Sequence, residues 1–152
     1  MTRTAASSLA LVLTAALLAP PLGAQAGRTV NLTGSDTLQY SLTTITAKPG
    51  ERLTVVLRTI SMQPAAQMAH NFVILKPGAN VDQFVMLAGM AKDQGFMPVK
   101  LKGQVLVSTD LAAANETMRA TFTAPTKPGS YIYFCSFPAH FNGGMKGTLI
   151  VK

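Results

Sequence analysis

The stretch Tyr131-Ile132-Tyr133-Phe134-Cys135-Ser136-Phe137-Pro138-Ala139-His140-Phe141-Asn142-Gly143-Gly144-Met145-Lys146-Gly147-Thr148-Leu149 decides how this chain is read. Its first residues alternate aromatic and β-branched types, which favours a strand. That strand delivers Cys135. Pro138, Gly143 and Gly144 then let the chain curl back, so Cys135, His140 and Met145 return to one centre with spacing C-x4-H-x4-M. Such a strand, closed by a curled loop and followed by a second strand at Thr148–Val151, belongs to an all-β fold.

Cys135 is the only cysteine, so no disulfide forms within the chain. There are two histidines; the one outside the loop is His70, which opens a different run, His70 to Leu75. Two imidazoles, a thiolate and a thioether make the trigonal set of two His and one Cys, with a long axial Met, that holds blue copper. The chemistry requires these types. Thiolate and thioether stabilise soft Cu(I), while imidazole serves both oxidation states. No acidic residue lies between Cys135 and Met145 to favour a harder ion. One copper ion is therefore the expected cofactor, with His70, Cys135, His140 and Met145 as ligands.

The N-terminus reads as a secretory signal peptide over residues 1–26. Arg3 provides the positive start, Leu9 to Ala19 is an apolar run too short to span a bilayer, and Ala24-Gln25-Ala26 is a small-x-small cleavage site. The expected location is the periplasm or the outside of the cell. No other stretch has the length and apolarity of a membrane span. In an oxidising compartment a lone thiol is a liability unless it is buried or metal-bound, which adds weight to the ligand reading.

Residues 27–152 read as one domain, with no repeat, linker or low-complexity segment. Short runs rich in Val, Ile, Thr and Tyr, bounded by Gly and Pro, imply a β-sandwich or barrel. Leu38 to Ile45, the turn Lys48-Pro49-Gly50-Glu51 and Leu53 to Leu57 suggest a hairpin-like pair. Ile60 to Ala69 reads as a loop. Val105–Ser108, Thr117–Thr123 and Tyr131–Cys135 are further strands. Asn80 to about Asp93 is the one helix candidate, with Asn80 as its cap. On that helix Met86 and Met90 sit at i, i+4, the ordinary spacing of core residues rather than of a second metal site.

Thirteen Lys and Arg face six Asp and Glu, a formal net charge of +7. The excess favours acidic partners or anionic surfaces. The basic residues are scattered, and no basic cluster with interleaved aromatics points to nucleic acid. Asn31-Leu32-Thr33 and Asn115-Glu116-Thr117 match glycosylation acceptors and are taken as chance matches.

These residues resemble the cupredoxins, and among them azurin and the auracyanins. The match rests on Tyr133 to His140 with Met145 to Leu149, on His70-Asn71-Phe72-Val73, and on Gly34 to Tyr40; it covers Thr29 to Lys152. The resemblance implies a Greek-key β-sandwich with a helical flap and one type 1 copper. It implies an exported carrier of single electrons. By position, His70, Cys135 and His140 are its equatorial ligands and Met145 the axial one. The resemblance also implies that the backbone N–H groups of Asn71 and Phe137 donate to the Cys135 sulfur. Three departures stand out. Four residues separate His140 from Met145, as in auracyanin, where azurin has three. Ala69 replaces the glycine whose carbonyl approaches copper in azurin, and azurin's N-terminal disulfide is absent.

In such proteins the loop histidine shows a ring edge within an apolar patch. Met68, Pro138, Ala139 and Phe141 would form that patch here. The expected partners are redox proteins, acidic or membrane-bound, docking transiently near His140. The chain itself is expected to be monomeric, without nucleic acid or small-molecule substrate. A copper carrier or chaperone is the alternative, suggested by eight methionines including Met86, Met90 and Met97. A catalytic copper domain needs further histidines, and none remains after His70 and His140.

Overall fold

The computed structural model describes residues 27–152; the segment read as a signal peptide lies outside them. Strands β1 (Arg28–Ser35), β3 (Arg52–Ile60) and β6 (Thr117–Thr123) form one sheet in the order β1-β3-β6. Strands β2 (Thr44–Ala47), β4 (Val73–Leu75), β5 (Val105–Ser108), β7 (Gly129–Phe134) and β8 (Lys146–Val151) form the other, ordered β2-β8-β7-β4-β5. The two sheets pack as a Greek-key β-sandwich, as expected. The crossovers make β1 parallel to β3 and β2 parallel to β8, while the remaining pairs are antiparallel.

Strand alternation builds the core. Val30 and Leu32 of β1, Leu53, Val55 and Leu57 of β3, and Leu149 and Val151 of β8 all point inward. Phe72, Phe84, Tyr133 and Phe134 fill the centre, and such side chains stabilise by about 1.5–3 kcal/mol each when fully buried. Phe72 stacks on Tyr133 with ring centroids 5.1 Å apart, and Tyr40 tilts against Tyr133 at 5.6 Å.

Helix α1 spans Val81–Gly89, shorter than the sequence pattern suggests, and a 3-10 turn follows at Lys92–Gln94. Asn80 caps it as expected, its Oδ1 accepting from the Gln83 N–H at 2.9 Å. The helix buries Phe84 and Ala88. Met86 lies two residues from Phe84, hence on the opposite side, and is 63% exposed; Met90 is 81% exposed. The expectation that these methionines are core is corrected: i, i+4 spacing defines a face but not which way it points.

The hairpin-like pair is also corrected. The turn at Lys48–Glu51 is present, with the Glu51 N–H donating to the Lys48 carbonyl. The flanking strands, however, enter different sheets: Ile45 pairs with Leu149, whereas Leu53 pairs with Arg28 and Phe122. Only Thr44–Ala47 of the first run is a strand. Tyr40 makes a single bridge to Gly34.

Candidate metal centre

His70, Cys135 and His140 come together, all buried, with their ligand atoms within 4.8 Å of one another. His70 Nδ1 lies 3.2 Å from His140 Nδ1, which lies 3.4 Å from Cys135 Sγ. A trigonal trio around a first-row ion, with bonds of about 2.0–2.3 Å, has donors roughly 3.5–3.8 Å apart, so the three converge at metal-binding separation.

Backbone structure aims each group. His70 precedes β4 and bridges to Ala112, its N–H donating to the Ala112 carbonyl at 3.0 Å and its carbonyl accepting at 2.7 Å. Cys135 directly follows β7, and its N–H donates to the Met145 carbonyl at 3.1 Å. The loop between them closes on itself. The His140 N–H donates to Phe137, that of Gly143 to Ala139, that of Gly144 to Phe141 and that of Met145 to His140, all at 2.8–3.1 Å. Gly144 takes φ +105°, a conformation that favours glycine. The loop is thus a folded unit that presents His140 and returns Met145 to a fully buried position.

Met145 packs against a residue that sequence reasoning placed in a motif without a role. A Cβ on Gly34 would come within 2.6 Å of Met145 Cε and 2.8 Å of His70 Cδ2. Glycine inside a strand signals close approach of another group, and that signal was present in β1. A second unforeseen element is the Asn71 side chain. It donates to Ser136 Oγ at 2.8 Å and accepts from the Ser136 N–H at 2.9 Å, tying the His70 segment to the Cys135 segment. The Tyr40 hydroxyl donates to the Asn71 carbonyl, and the Ser136 hydroxyl reaches Met97 Sδ at 3.6 Å.

Burial sets the electrostatics. Desolvation pushes the Cys135 thiol up to about 12, against the backbone N–H groups of Asn71 and Phe137, which favour thiolate. Desolvation lowers both histidines to about 4, with His70 adding to the effect on His140. His70 Nε2 is buried without a hydrogen-bond partner among the described residues. The donors are therefore two neutral imidazole nitrogens and one soft sulfur in a dry site, which suits copper. The Ala69 carbonyl oxygen lies 4.0 Å from Cys135 Sγ, at the edge of the trio.

His140 is 3% exposed, the only member of the trio with any accessible surface. The Phe137 ring stands 4.7 Å from its own. Ala139 is exposed, and Met68 and Pro138 are half-buried. Phe141, counted with the patch from sequence, is buried instead. It meets Phe134 edge-on at 5.7 Å, and Lys146 Nζ lies 4.4 Å above its ring.

Known proteins of this kind share the whole domain. Residues 28–152 match the family described as copper binding proteins, plastocyanin/azurin family. An azurin from Achromobacter denitrificans is 36% identical over 151 residues, covering 95% of this chain and 96% of that protein. Auracyanin-A of Chloroflexus aurantiacus is 32% identical over 119 residues, 76% of this chain and 68% of the relative. Among solved structures, a dithionite-reduced auracyanin from Roseiflexus castenholzii superposes with a TM-score of 0.67 at 29% identity, covering 84% of this chain and 98% of that one. An azurin (Az-iso2) from Methylomonas sp. strain J gives a TM-score of 0.71 at 28% identity, with 84% and 99% covered. The sandwich, the buried trio and these matches agree, and the chain belongs to the plastocyanin/azurin family of copper-binding proteins.

Proposed function

We propose that this protein is an exported carrier of single electrons, with His70, Cys135 and His140 holding one copper ion and Met145 as its axial ligand. The observation that carries the reading is the buried His–Cys–His trio, with its ligand atoms within 4.8 Å on segments tied by Asn71 and Ser136. Copper in such a set supplies a one-electron couple. The chain's residues keep the donors in place, exclude water, and present the His140 edge among Met68, Pro138 and Ala139. A site held by a closed loop moves little between redox states, so transfer is fast. Transient contact with redox partners at this small apolar patch follows, with the net positive charge favouring acidic ones. No catalysis is assigned to the chain, since both its histidines are used at one centre. Residues 1–26 act as the cleaved signal in this reading.

The test is to add Cu(II) to the purified mature protein. An intense blue thiolate-to-copper band that bleaches on reduction is expected, and Cys135→Ser abolishes it. A colourless protein overturns the reading.

The exposure of Met86 and Met90 favours one alternative, a copper carrier, because exposed thioethers are available to soft Cu(I). Copper transfer to an apo-acceptor faster than electron exchange would establish it.

A further inference from the structure

The fold sorts basic residues that look scattered in the sequence. Every arginine among the described residues lies on the three-stranded sheet: Arg28 on β1, Arg52 and Arg58 on β3, Arg119 on β6. The lysines lie elsewhere. Arg28 is engaged with Glu51 at 2.8 Å. The other three alternate with core residues and so project from the sheet's outer face.

Register aligns that face into rows across the strands: Thr29–Thr54–Thr121, Asn31–Val56–Arg119 and Thr33–Arg58–Thr117. Arg58 and Arg119 occupy adjacent rows on neighbouring strands, a diagonal pair of like charges within reach of each other. The carboxylates nearest in sequence make no ion pair with them. They sit at the strand ends and are engaged: Asp36 with the Met62 N–H, Glu51 with Arg28 and the Lys48 N–H, and Glu116 with the Ala113 N–H. None of Arg52, Arg58 and Arg119 forms an ion pair among the described residues.

We propose that this face rests on an anionic phospholipid surface, with Arg58 and Arg119, assisted by Arg52, taking lipid phosphates. The chemistry selects this occupant. Guanidinium forks match phosphate oxygens in bidentate pairs. The rows around them carry hydroxyls, an amide and the mostly buried Val56, and Ile60 at the end of β3 is the one exposed large apolar side chain on this face, too little to make the clustered anchors on which a protein interface depends. A second copy would present the same positive charge. The placement also fits electron transfer near a membrane. The metal trio adjoins Gly34 near the end of β1, not the sheet's face. A protein lying on this face keeps its His140 loop clear of the lipid and available to a membrane-bound partner. The proposal uses no ligand residue, so it fails or holds independently of the copper reading.

The test is sedimentation of the exported, copper-loaded protein with vesicles of phosphatidylcholine, alone or with about one-third phosphatidylglycerol, at low salt. Binding is expected only to the mixed vesicles. Arg58→Gln with Arg119→Gln weakens it by about 25-fold, at about fivefold per arginine near an anionic surface. Lys100→Gln with Lys102→Gln removes the same charge elsewhere and has a far smaller effect. Circular dichroism and the blue band verify that each variant is folded. Absence of binding to phosphatidylglycerol overturns the proposal. So does equal loss in the two double variants, which would reduce the effect to net charge.

Discussion

Gly34 and Met145 are in contact only because residue 34 has no side chain: a Cβ there would stand 2.6 Å from Met145 Cε. The same Cβ would meet the His70 ring at 2.8 Å. Gly34 has no positive φ, so alanine fits its backbone and the conflict is purely one of space. Gly34→Ala should therefore displace the Met145 thioether and the His70 ring. It should also cost about 1–3 kcal/mol from overpacking. The visible spectrum of the copper form should change, and urea unfolding of the metal-free form should shift to lower midpoint. An unchanged spectrum would show that Met145 does not govern the site.

The Asn71–Ser136 tie should be a main support of the trio. Asn71→Leu leaves the buried Ser136 N–H and hydroxyl without their partner. An orphaned buried polar group costs about 1–3 kcal/mol. Stability should fall by that amount or somewhat more, and the blue band should broaden as Cys135 gains freedom. Thermal unfolding and absorption measure the two effects. Ser136→Ala, which removes only the hydroxyl and keeps the N–H contact, should cost less.

Much of this was legible in the chain itself. The C-x4-H-x4-M spacing, the lone cysteine and the single outlying histidine named the cluster, because ligand chemistry restricts residue types severely. Thr117–Thr123 reads directly as a strand because period-2 alternation survives in it, and Val105–Ser108 does so as a short β-branched run. Partner choice did not. Ile45 pairs with Leu149 at the far end of the chain, and alternation says nothing about which strand lies alongside. The orientation of α1 was likewise hidden: Phe84 and Ala88 face the core and Met86 does not, a choice made by packing rather than spacing. Gly34 carried a readable sign as a glycine within an alternating strand, but its contacts came from loops distant in sequence.

Ala139 should separate electron transfer from copper binding. It is exposed next to His140 and holds φ +68°, a left-handed conformation that Asp tolerates better than most residues. Its carbonyl accepts from the Gly143 N–H, a bond that the substitution preserves. Ala139→Asp should leave the blue band intact and slow reduction by an acidic partner by about tenfold, through like-charge repulsion at the docking face. Stopped-flow kinetics at low salt measure it, and the deficit should shrink as salt is added. Equal rates for the two proteins would move the docking surface away from Ala139.

Copper uptake by the metal-free protein should release one proton at neutral pH. Burial pushes the Cys135 thiol up to about 12, so it is protonated before binding, whereas the bound ligand is thiolate. His70 and His140, lowered to about 4, are already neutral there and contribute none. Apparent affinity should then rise about tenfold per pH unit between roughly pH 5 and 8, the slope of a single released proton. Below the histidine values the ring protons must leave as well, and the dependence should steepen towards three protons. An indicator-dye titration in weak buffer counts the protons directly. No release at pH 7 would mean that the thiol is already ionised, so that the Asn71 and Phe137 N–H groups, not burial, dominate at Cys135.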